Sequence, residues 1–203
     1  LEKKREYALM CEGLASYRIW TAYMPRLMLG LPSAGGAAAQ SETLESFLHE
    51  YKYTSPIDEQ NRGSGFAPLF AAVTSANLAV VEQLVTCEGV DVNARMDRFP
   101  HFFIPKGSTA LHFTMAACPF NLNEIITVLL IKRANPNAPA EGGTTALMAG
   151  PLFQNLATTK ALLKCAGKEL DLEQGMTLNN ATALSLACYL GTTDIVAALA
   201  DAG

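Results

Sequence analysis

One local pattern occurs four times along the 203 residues, and a pattern recurring at such spacing restricts the fold more than any isolated motif does. The copies are APLFAAVTSANLAVVEQLV from Ala67, TALHFTMAACPFNLNEIITVLL from Thr109, TALMAGPLFQNLATTKALL from Thr145 and TALSLACYLGTTDIVAALA from Thr182, with starts 42, 36 and 37 residues apart. Two residues before each start stands Gly65, Gly107, Gly143 or Asn180, residue types that take a positive φ at little cost. A Thr opens three copies, placed to cap the first free amides of a helix. The first copy has Ala67 followed by Pro68, which suits the first helical turn but leaves the cap weaker by about 1 kcal/mol.

Behind the cap, Leu69, Leu111, Leu147 and Leu184 share one inward position of a short helix. A second apolar cluster follows: Val80, Val81, Leu84 and Val85; Ile125, Ile126, Leu129 and Leu130; Leu162 and Leu163; Ile195, Val196 and Leu199. Spacings of three and four put each cluster on one face of a second helix. Each unit is therefore a helix pair with one apolar flank, which it cannot bury alone.

These residues resemble the ankyrin-repeat family, whose units open with Thr-Pro-Leu-His and close with a Gly-Ala-Asp-Val-Asn-Ala-like stretch. TALH at Thr109 to His112 and GVDVNA at Gly89 to Ala94 match closely; RANPNA at Arg133 to Ala138 and LDLE at Leu170 to Glu173 match more loosely. The resemblance covers residues from about Asp58 to Gly203. It implies an all-α solenoid of helix-turn-helix repeats with protruding finger loops, a His112 that bridges repeat backbones, and partners met at the fingers and inner helices. The spacings exceed the family period of about 33 residues, with extra residues at Ala116 to Asn123, at Gly167 to Leu170 and above all between Asn93 and Thr109.

Upstream, Ser41 to Asp58 reads as the outer helix of a degenerate earlier repeat, with Leu44, Phe47, Leu48 and Tyr51 at helical spacing. Leu31 to Gln40 is a small-residue linker, and Glu2 to Leu29 is expected to form a longer helix, limited by Pro25, that caps the array. The organisation expected is thus 1–40 as N-terminal helix and linker and 41–203 as the array, with a half repeat at 41–58 and repeats starting near 59, 97, 138 and 174.

A net charge of −4 argues against nucleic acid as partner, since phosphate neutralisation needs concentrated Lys and Arg. No stretch of about 20 mainly apolar residues reads as a membrane span. Cys11, Cys87, Cys118, Cys165 and Cys188 are widely spaced, without a Cys-x-x-Cys pair, and read as reduced thiols, most of them small core residues, in an intracellular or organellar compartment. His49 reads as a surface side chain, and the pair His112 and Cys118 lacks an orienting third group. Phosphate-binding, hydrolase and zinc-protease motifs are missing. The sequence thus predicts no catalytic, metal or cofactor site.

The insertion RFPHFFIPKG, Arg98 to Gly107, makes one finger about eight residues longer than the family interval. Two readings stay open at this point. Phe99, Phe102, Phe103 and Ile104 either curl onto the array or face a partner, where each buried Phe contributes roughly 1.5–3 kcal/mol. Under the second reading the partner-binding residues are Arg98, Phe99, His101, Phe102, Phe103, Ile104 and, on the last finger, Met176. The expected function is a non-catalytic protein-interaction scaffold. The alternatives are an accessory subunit held permanently in a larger assembly and the regulatory arm of a longer enzyme or channel. Further repeats or a partner are expected to cover the last helix.

Overall fold

A computed structural model describes residues 43–56, 67–96, 105–116 and 122–203. The expected helix at Glu2 to Leu29, its linker, Gly65, Cys11 and Cys118 lie outside the described residues. Among the described residues the regular elements are nine α-helices and two short 3-10 turns, with no strand. They are α1 (Leu44–Glu50), α2 (Pro68–Thr74), α3 (Leu78–Leu84), α4 (Ala110–Ala116), α5 (Leu122–Ile131), α6 (Ala146–Phe153), α7 (Leu156–Ala166), α8 (Ala183–Leu190) and α9 (Thr193–Ala200).

The local signals produce these elements. Gly107, Gly143 and Asn180 all take positive φ, at 79°, 78° and 53°. The Thr145 hydroxyl accepts the Met148 amide at 3.4 Å and Thr182 that of Ser185 at 3.3 Å. Ala67 makes no side-chain cap, and Pro68 takes the first turn instead. On the outer helices Asn77 caps α3 through the Val80 amide at 3.2 Å and Asn155 caps α7 through Thr158 at 3.3 Å.

The helices stack in two columns. The inner column runs α2, α4, α6, α8 and the outer column α1, α3, α5, α7, α9, each helix packing on the next in its column and, from α2 onward, on its pair-mate. α1 lies beside α3, where the Leu44 amide donates to Gln83 Oε1 at 3.0 Å. Phe47 and Tyr51 bury there and stack at 4.4 Å. Leu69, Leu111 and Leu147 are 4, 1 and 2 % exposed.

Leu184 departs from that rule at 39 % exposed. It holds the same register, but among the described residues no further helix pair leans on it. The cysteines depart as well: Cys87 is half-buried, and Cys165 and Cys188 are exposed, so those described are not core residues. Cys165 falls on the outer side of α7 beside Thr127, and Cys188 on the uncovered side of α8.

A polar ladder runs along the opposite edge. The Asn93 amide group donates to the Arg133 carbonyl at 3.0 Å and its Oδ1 accepts the Asn135 amide at 2.7 Å. Asn137 repeats this one unit on, donating to the Glu169 carbonyl at 2.6 Å and accepting the Asp171 amide at 2.8 Å. The extra residues at Gly167–Glu169 coil into a 3-10 turn, whose Glu169 carbonyl is the one Asn137 donates to. Two predictions follow from this packing. Asn137→Ala should lower stability in urea by about 1–2 kcal/mol. Phe47→Ala should lower it by about 3–5 kcal/mol, whereas an α1 that is merely appended would leave the unfolding curve unchanged.

Candidate partner-binding surface

After α3, α5 and α7 the chain pairs with itself at the base of a finger before the next inner helix. Three fingers can be compared by the hydrogen bonds at their bases. Met96 donates to the Ser108 carbonyl at 3.0 Å, Ala140 to Thr144 at 2.7 Å and Met176 to Ala181 at 3.0 Å. These pairs are twelve, four and five positions apart, so the first finger carries eight residues more than the second above an equivalent base. The length expected from sequence is therefore seen at residues that frame the insertion.

The fingers also join edge to edge. The Glu141 amide donates to the Lys106 carbonyl at 2.7 Å, and the Thr177 amide donates to the Gly142 carbonyl at 3.0 Å. Arg95 Nη1 adds a bond to the Pro139 carbonyl at 2.7 Å. Gly143 is required where the second and third fingers meet, because a Cβ there would stand 2.9 Å from the Thr177 nitrogen, and its φ is 78°. The three fingers thus form one backbone ribbon along the array.

Of the residues expected to bind a partner, Arg98, Phe99, His101, Phe102, Phe103 and Ile104 lie outside the described residues. Met176 is half-buried and packs against the core. Leu178, two residues further on, is 91 % exposed at the tip of the same finger. The sequence reading passed over it, although an apolar residue between Thr177 and Asn179 in a polar turn is itself a signal. On the inner column Tyr189 of α8 is also exposed.

His112 is buried and has a structural part. Its Nδ1 accepts the Thr109 amide at 3.1 Å, so the proton sits on Nε2, which donates to the Thr144 carbonyl of the next repeat at 3.0 Å. The Thr109 hydroxyl lies 3.0 Å from the same Nδ1. Burial pushes the imidazole pKa down from 6.5 to about 4; the Thr144 bond opposes this, and nearby Arg95 adds to it. His49 is exposed, as expected. Among the described residues no group of three or more His, Cys, Asp or Glu could hold a metal ion, and no helix is long and apolar enough to cross a membrane.

Family profiles agree with this geometry. The profile for ankyrin repeats in three copies matches residues 113–203, and that for a single ankyrin repeat matches residues 64–97, together more than half of the chain. The chain belongs to the ankyrin-repeat family. No curated protein matches it. Ankyrin repeats generally mediate protein–protein interaction and are typically non-catalytic, which fits a His112 imidazole taken up in joining two repeats.

That imidazole makes this ankyrin array sensitive to acid. Between pH 6.5 and about 4 the unfolded chain binds a proton that the folded chain refuses, so stability falls as the pH drops through this window. Taking the pH from about 7 to about 4.5 should cost the natural protein roughly 2–3 kcal/mol more than it costs His112→Gln. Urea unfolding at both pH values measures the difference, and equal losses would remove His112 as the cause.

Proposed function

We propose that the protein is a non-catalytic interaction scaffold that binds another protein along its finger ribbon and inner helices. The observation that carries this reading is the ribbon itself: finger bases locked edge to edge through backbone bonds, the first of them framing an eight-residue, Phe-rich insertion in the sequence. Such a platform is ordered before binding, so little freedom is lost when a partner docks. The insertion offers Phe99, Phe102, Phe103 and Ile104 as anchors, with Pro100 and Pro105 restricting the backbone and Arg95, Arg98, His101 and Lys106 as a polar rim. At the far end Leu178 extends the apolar contact beyond Met176.

A second reading, a subunit held permanently in a larger assembly, draws on the exposed Leu184 and Tyr189 of the last pair. Expression of the chain alone separates the two. A soluble monomer with cooperative unfolding speaks for the scaffold, and aggregation relieved only by co-expression speaks for the subunit.

The finger is tested by changing Phe102 and Phe103 together to Ser. Proteins retained from a cell lysate by the immobilised natural chain should be lost from the variant, with the melting temperature within a few degrees. A collapse in melting would mean that these rings pack on the array, and the finger would lose its binding role.

A further inference from the structure

Among the described residues the outer column leaves one large apolar side chain open to solvent, Ile131 at the end of α5, which is 72 % exposed. Its place in the helix makes this unexpected. The buried sets Val80, Val81 and Leu84; Ile125, Ile126 and Leu129; and Thr158, Thr159 and Leu162 align the outer helices with one another. Two residues past each set stand Thr86, Ile131 and Lys164, all exposed. An apolar residue thus occupies a solvent position that the repeats on either side leave polar.

Cations surround it. Between Glu124 and Glu169 the chain carries Lys132, Arg133, Lys160, Lys164 and Lys168 against one carboxylate, Glu141, which sits on a finger, although the chain as a whole is at −4. All five cations are exposed. Lys160 and Lys164 share one side of α7, and Lys168 follows in the 3-10 turn. Two contacts bring them beside the end of α5: the Thr127 hydroxyl lies 3.4 Å from Cys165 Sγ, one turn before Ile131, and Asn137 holds the Glu169 carbonyl at 2.6 Å, next to Lys168. Helix C-termini attract cations, which accounts for Lys132 and Lys164. It accounts neither for Lys160, outside the last turn, nor for Ile131, and like charges four residues apart oppose helix formation.

We propose that the outer faces of α5 and α7 dock an acidic amphipathic helical segment of another protein, with an apolar side chain over Ile131 and carboxylates on Lys160, Lys164 and Arg133. The cations select the sign of the partner, and Ile131 adds apolar contact at their centre. The flanks limit its width. On the same outer column α3 and the residues after it expose Glu82 and Glu88, and α9 exposes Asp194. A single helix lies between these carboxylates, whereas a bilayer or a nucleic acid duplex laid across the column would meet them. The surface is away from the finger insertion, so this proposal and the finger reading stand or fall independently.

The test is fluorescence anisotropy on the full 203-residue chain with a labelled amphipathic Leu/Glu helical peptide and a Leu/Lys peptide of equal length. The Leu/Glu peptide should bind and the Leu/Lys peptide should not. Lys160→Glu with Lys164→Glu should weaken binding by about tenfold or more, while Lys4→Glu with Lys52→Glu, an equal change of net charge elsewhere in the chain, leaves it within about twofold. Lys160→Gln with Lys164→Gln keeps good helix formers at exposed positions and should also weaken binding, so the result does not hang on the folding of the Glu variant. Ile131→Ser should weaken it as well, and Phe102→Ser with Phe103→Ser should not. Equal binding of both peptides, or equal losses from the two paired Glu changes, overturns the proposal. So does tighter binding of phosphatidylserine vesicles or of duplex DNA than of the Leu/Glu peptide, which would give the patch to a broad polyanion.

Discussion

The structure depends on sideways burial between successive helix pairs. Each pair carries one apolar flank, and a short two-helix unit has no interior in which to hide it. Leu111 and Leu147 become core residues only because a neighbour leans on them, as their near-zero exposure shows against Leu184 in the same register. Stability in such an array is a sum of unit and interface contributions. The short α1 therefore matters beyond its seven residues: with Phe47 and Tyr51 it continues the outer column past α3, giving the first described repeat a neighbour on that side.

Polar contacts set the alignment that burial alone leaves loose. Apolar packing tolerates small slips between neighbouring pairs, whereas the Asn93 and Asn137 side chains each meet a donor and an acceptor at fixed points on the next repeat. His112 fixes a third point between the second and third recognisable copies. None of these bonds contributes much net free energy. Their value is directional, and together they hold unequal repeats in a common frame although the connectors differ in length.

Much of this was legible from residue order. The four leucines, the Thr caps, the turn residues at Gly107, Gly143 and Asn180 and the backbone-bridging His112 all depend on local geometry or on a recurring motif, and sequence records both directly. What was not legible depends on neighbours. The exposure of Leu184, Cys165 and Cys188 follows from which flank lacks a partner or faces outward. Leu178 and Met176 differ by two positions in one turn, yet one points out and the other packs inward.

The close meeting of Gly143 with Thr177 has a further consequence. Because main-chain atoms set the pitch between adjacent tips, the side chains displayed there are free to vary without altering the distance from one tip to the next. New recognition can then arise by substitution at single tips, with the underlying geometry inherited intact.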